Sequence, residues 1–137
     1  MSSIVAKLIR LCPYLLGFEI AFTLVFALVP SDSALLSFNI WDKAQHVTVF
    51  ALLSITASLA YPNNRIAGNV GLLAFGAVIE IMQASLTTSR SGEFLDLVAD
   101  GVGIGFGAIA YSFFRRSFPM TAGPRSQRLP EDELPPR

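Results

Sequence analysis

Apolar residues gather in four stretches of the chain, and proline or charge closes most of them. The first stretch covers about residues 11–29, follows the basic Lys7 and Arg10, and stops at Pro30, which lacks the amide proton a continuing helix needs. The second, about 42–61, ends before Pro62. Its strictly apolar part starts only at Val47, so a full span requires the helix to begin near Asp42. The third runs over about 66–86 and carries Glu80 and Gln83. The fourth, about 94–114, contains Asp96 and Asp100 and meets Arg115 and Arg116 at its end. A transmembrane helix takes about 20 mostly apolar residues. The pattern therefore predicts an all-α integral membrane bundle of four transmembrane helices, forming one domain over residues 1–116.

Composition points the same way. The 137 residues are 53% hydrophobic and 15% charged, and mean hydropathy is +0.56. Soluble domains carry about 25% charged residues, more than this chain has to coat a surface. Ten basic and ten acidic residues cancel, leaving no basic surplus for nucleic acid. The single cysteine, Cys12, excludes an internal disulfide and a Cys-cluster zinc site.

The first stretch is expected to stay in the protein. Glu19 interrupts its apolar run and no small-x-small cleavage site follows. Arg10 and Leu11 stand before Cys12 where a lipoprotein signal has small residues. Lys and Arg concentrate on one side of the alternating spans. With the N-terminus inside, Lys7, Arg10, Arg65, Arg115 and Arg116 are cytoplasmic, and the external loops hold Lys43 and Arg90. Both termini are thus expected on the cytoplasmic side, with the bundle crossing a cell membrane. Residues 117–137 contain five prolines among Arg, Ser and acidic residues. They have almost nothing to bury, and the expectation is a disordered cytoplasmic tail. No internal repeat supports an inverted-repeat transporter.

Ionisable residues in a membrane mark either a function or a buried structural pair. Under this topology they share one end of the bundle. Asp42, Lys43 and His46 stand at the external start of the second helix, and Glu80 and Gln83 near the external end of the third. Arg90 and Glu93 lie in the loop that follows, and Asp96 and Asp100 open the fourth helix. Asp42 and His46 share a helix face, as do Asp96 and Asp100, and Glu80 and Gln83. The expectation is one polar site comprising Asp42, Lys43, His46, Glu80, Gln83, Arg90, Asp96 and Asp100. Arg90 would hold carboxylates with its fork of donors. Gly101 with Gly105, and Gly103 with Gly107, form two small-xxx-small patterns that permit close helix packing. Glu19 stands alone and reads as a protonated or hydrogen-bonded glutamate facing the bundle. Trp41 fits an interfacial preference.

The segment from Asp42 to Gly105 resembles the VanZ-like family of small membrane proteins. The matching elements are Asp42-Lys43-Ala44-Gln45-His46, Glu80-Ile81-Met82-Gln83, Arg90-Ser91 and Asp96-Leu97-Val98-Ala99-Asp100-Gly101 ahead of the glycine-rich helix. They span roughly half the chain. The resemblance implies a multi-helix membrane protein of the cell envelope, in a family named after a member linked to low-level resistance to the glycopeptide teicoplanin. Asp100 departs from the family's usual Asn, and Thr88-Ser89 stand where a proline is common.

Three functions fit these residues. The first is a module that binds or modifies a lipid-linked or wall-associated envelope molecule at the external face, with Lys43 and Arg90 on its phosphate or carboxylate. The second is an accessory or structural subunit that meets other membrane proteins and uses the cluster as a packing lock. The third is an intramembrane metal-dependent hydrolase with a divalent ion among Asp42, His46, Glu80 and Asp96. No Ser/His/Asp elbow or H-E-x-x-H motif is present, and no cofactor is indicated.

Overall fold

A computed structural model describes residues 3–28, 39–86 and 94–117. These form four α-helices: α1 (Ser3–Leu28), α2 (Asn39–Ala60), α3 (Arg65–Leu86) and α4 (Phe94–Ser117). The helices match the four apolar stretches with small shifts at their ends. α1 starts well before residue 11, because Lys7 and Arg10 join its first turns and Pro13 is accommodated within it. α4 runs through Arg115 and Arg116, whose positive charges suit the negative end of the helix dipole. The residues assigned to the tail beyond Ser117 lie outside the described residues.

A short turn links α2 to α3. The Tyr61 amide still donates to the Ala57 carbonyl at 2.9 Å, and the Asn64 amide donates to Tyr61 at 3.0 Å. The Gly68 amide then donates to the Asn64 carbonyl at 2.9 Å, which opens α3. Pro62 sits inside the turn, where its missing N–H costs nothing.

α2 is the central helix. It packs on α1, α3 and α4, whereas α1 and α4 do not meet among the described residues. Its Phe50, Leu53, Ser54 and Ser58 are almost fully enclosed. The other three helices turn large apolar side chains outward. Examples are Phe18, Phe22 and Phe26 on α1, Ile66, Val70 and Ile81 on α3, and Phe106, Ile109 and Phe113 on α4. Those same three are long and apolar enough to cross a membrane. A protein with this exterior is unstable in water and at home in lipid.

The most extensive contact joins α2 to α4. The two run parallel: positions 43, 46, 47, 51 and 54 of α2 meet positions 96, 100, 103 and 107 of α4 in the same order. Gly103 and Gly107 produce the close approach. A Cβ at Gly103 would overlap the Val47 carbonyl, and one at Gly107 would overlap the Ala51 carbonyl and the Ser54 side chain. Gly105 has nothing within 4 Å, and Gly101 only the tip of Leu73 at 3.9 Å. Two positions along a helix of about 3.6 residues per turn amount to more than half a rotation, so only one of the two glycine patterns can face α2.

Ser54 ties three helices together at this level. Its hydroxyl lies 3.1 Å from the Ile104 carbonyl of α4 and 3.0 Å from the Asn69 side-chain amide of α3. A hydroxyl has one proton, so Asn69 Oδ1 and the Ile104 carbonyl compete for it. Arg65, at the start of α3, stacks its guanidinium 5.3 Å from the centre of the Tyr111 ring on α4. This contact places Arg65 at the same end of the bundle as Arg115 and Arg116.

The two glycine patterns should therefore separate experimentally. Gly107→Ala is expected to destabilise the bundle by about 1–3 kcal/mol through overpacking against backbone. Gly105→Ala should be neutral or stabilising by up to about 1 kcal/mol, since alanine is the better helix former. Thermal unfolding of the detergent-solubilised protein measures both, and equal responses would contradict the packing described.

Candidate functional site

The parallel pairing of α2 and α4 brings their first turns side by side, and the charges on them meet. The Lys43 ammonium donates to Asp96 Oδ1 at 2.9 Å. One turn deeper, His46 Nδ1 lies 2.8 Å from Asp100 Oδ1. An ionised carboxylate only accepts, so with Asp100 ionised the Nδ1 of His46 carries the proton and Nε2 faces away from Asp100. The pairs differ in exposure. The side chains of Lys43 and His46 are 25% and 11% exposed, and their partners Asp96 and Asp100 are 5% and 1% exposed. The two aspartates are thus sealed between the helices by the two basic side chains.

Helix geometry explains this arrangement. Asp96, Asp100, Gly103 and Gly107 follow spacings of four, three and four, which form one continuous stripe on α4. The glycines that draw the backbones together and the aspartates that pair across the interface share that stripe. On α2 the His46 ring lies parallel to Phe50, with centroids 6.5 Å apart and 3° between planes. Phe50 also meets Phe75 of α3. This aromatic floor fixes the imidazole from below.

Asp42 completes the group. It lies one turn before His46, and ligand atoms of Asp42, His46 and Asp96 all fall within 4.8 Å of one another. Three carboxylates, Asp42, Asp96 and Asp100, therefore crowd one imidazole and one ammonium.

On α3, Gly76 faces Asp100. A Cβ there would overlap Asp100 Oδ2 and approach Phe50. That oxygen is buried and accepts no hydrogen bond from the described residues. Glu80 lies one turn further along the same face of α3 and has an oxygen, Oε1, shielded from solvent. Gln83 is buried, and its amide NH2 donates to the Ala27 carbonyl near the end of α1 at 3.0 Å. It therefore closes the last turn of α1 as well as standing at the polar end of the bundle. Arg90 and Glu93 lie outside the described residues, as does the Trp41 side chain. Five of the eight residues expected to form one site, namely Asp42, Lys43, His46, Asp96 and Asp100, come together at the α2–α4 interface. Glu19 sits apart: its Oε1 accepts from the Thr56 hydroxyl at 3.2 Å, which ties α1 to α2.

Beside this group lies a half-open cavity of about 410 Å³ between α1 and α2. Its wall is mainly apolar and includes Phe22, Phe26, Val49, Phe50 and Ile79, and Asp42 and His46 also line it. The cavity reaches the polar cluster from the α1 side, opposite α4.

Sequence reasoning did not single out Gly76, Ser54 or Asn69. Gly76 makes room for Asp100, and Ser54 with Asn69 anchors the three-helix junction. The visible signal was the run Ser54, Thr56 and Ser58 inside an otherwise apolar helix. Hydroxyls in that setting need neighbouring helices to satisfy them. No known protein family, curated protein or solved structure matches the chain.

The His46–Asp100 contact should be energetically coupled. His46→Ala and Asp100→Ala are each expected to cost about 3 kcal/mol, because each leaves a buried polar partner behind. The double variant should cost less than the two together by about 1–3 kcal/mol. Unfolding free energies in detergent complete the cycle, and strict additivity would mean the two groups do not interact.

Proposed function

We propose that this chain is a VanZ-like, four-span protein of the bacterial plasma membrane that binds or modifies a lipid-linked envelope molecule at the extracytoplasmic end of its bundle. The observation that carries the reading is the cavity between α1 and α2: an apolar trough with Asp42 and His46 in its lining, a helix face away from Lys43 and Asp96. An amphiphile fits such a surface. Its hydrocarbon part lies against Phe22, Phe26 and Val49, and its polar part meets the charged cluster. Lys43, with the most exposed side chain of the two ion pairs, is the group to meet a phosphate.

The fourth span is α2. Its lower apolar content follows from its central position, since a helix wrapped by three others presents its polar residues to protein and not to lipid. Ser54, Thr56 and Ser58 are all buried. The orientation rests on charge: Lys7 and Arg10 near the start of α1, Arg65 at the start of α3 and Arg115 and Arg116 at the end of α4 share the end opposite the cluster. The positive-inside rule then puts that end, with both termini, in the cytoplasm.

A second reading has its own support. Asp96 and Asp100 are 3% and 0% exposed, as expected of a lock that fixes α4 on α2 in an accessory subunit.

Two experiments bear on these readings. Single cysteines introduced at positions 63 and 125, in a Cys12→Ala background, should resist a membrane-impermeant maleimide in intact cells. Labelling at either position from outside overturns the topology. In membranes, a photoactivatable polyisoprenyl phosphate should crosslink to the cavity wall at Phe22, Phe26 or Val49. Val49→Trp, which fills the trough, should cut crosslinking by about tenfold, equivalent to a loss of about 1.4 kcal/mol. Crosslinking that is absent, or unchanged in the filled variant, would favour the accessory subunit.

A further inference from the structure

We propose that Asp42, His46 and Asp96 form a binding site for a divalent transition-metal ion of the Zn2+ or Mn2+ class, with Asp100 as the residue that orients His46. This deepens the proposed function, on which it rests only for the identity of a further ligand: a lipid phosphate arriving through the cavity would complete the coordination of the ion.

The distances come first. Two ligand atoms about 2.0–2.2 Å from a shared ion are at most about 4.4 Å apart. The three here already lie within 4.8 Å of one another. Side-chain adjustment of about an ångström closes the set. An imidazole with two carboxylates is a donor set that suits Zn2+ and Mn2+.

The second observation is Asp100, which lies outside the three ligands. Its side chain is 1% exposed and one oxygen holds His46 Nδ1 at 2.8 Å. Its other oxygen is buried and accepts no hydrogen bond from the described residues. A carboxylate desolvated this completely is costly unless positive charge lies close by. Metal-binding histidines characteristically donate their second N–H to a carboxylate, which fixes the ring and raises its basicity. Asp100 stands behind His46 in that relation. With Nδ1 engaged, the site requires Nε2 to take the ion, whose charge would then reach Asp100 through the imidazole.

Lys43 is a competitor and not an obstacle. It donates to Oδ1 of Asp96, and its partly exposed ammonium rides on a flexible stem. An ion binding at Asp96 would release its ammonium, which becomes available to an anionic headgroup. Access is through the same trough, because Asp42 and His46 both line it.

The test is a Mn2+ titration of the full-length protein in lipid nanodiscs, followed by EPR, with Zn2+ as competitor. The expected result is saturation at a single ion per chain, release by Zn2+, and a nitrogen coupling from one imidazole in pulsed EPR. His46→Gln and Asp42→Asn should each weaken binding by more than about tenfold, and Asp100→Asn by about 10–100-fold. Lys43→Met should bind as tightly as the parent or more tightly. Absence of saturable binding, or saturable binding without the nitrogen coupling, overturns the site. The coupling is read on the unaltered chain, so the result stands even where a variant fails to fold. If crosslinking to the polyisoprenyl phosphate persists in a chain that binds no Mn2+, the metal site is wrong and the lipid reading remains. If Mn2+ binds with the nitrogen coupling and no crosslinking occurs, the metal site stands and the lipid reading falls.

Discussion

The close approach of α4 to α2 at Gly103 and Gly107 governs how the charged groups of these two helices pair. In lipid, helices gain nothing from hiding apolar surface from one another, so association depends on van der Waals packing and on polar contacts. Two glycines on one stripe let the α4 backbone lie against the Val47 and Ala51 carbonyls. Once that level is set, the first turns of both helices have no freedom of register. Lys43 meets Asp96 and His46 meets Asp100 because they continue the same stripe toward the same end.

Those pairs carry an energetic cost that the packing must support. Moving a charge out of water is repaid only when its partner is close and the remaining polar atoms are satisfied. Lys43–Asp96, near the surface and partly hydrated, meets this condition easily. Asp100 does not, with one oxygen on His46 and the other against Gly76 without a hydrogen-bond donor among the described residues. Such stored unfavourable energy is characteristic of functional sites more than of structural locks. The Ser54 junction forms the contrast, since its hydroxyl lies within hydrogen-bond reach of both Asn69 and Ile104. A purely structural polar layer in this bundle looks like that one.

Position also separates the two layers. The Ser54 junction lies mid-bundle and outside the lining of the cavity between α1 and α2, which the Asp42–His46 turn borders. The charged cluster is therefore bordered by an apolar trough beside α1, and Lys43 keeps part of its side chain exposed.

Much of this was legible without coordinates. Proline, arginine and the apolar runs determine the four helices, because breaks in hydrophobicity long enough to matter in lipid can only be ends. The alternation of spans and the helical spacing of Asp42 with His46, and of Asp96 with Asp100, already place these pairs at one end, each on a single face. The partnership between them was a different matter. Arg90, expected on the acids, lies outside the described residues. One glycine pattern was chosen over the other, Lys43 and His46 pair with Asp96 and Asp100, and Gln83 turned to the Ala27 carbonyl. Each of these depends on the rotation of one helix about its axis relative to another. A one-dimensional pattern leaves that angle open, and the angle is set by the sum of many side-chain contacts along α2, the helix that touches the other three.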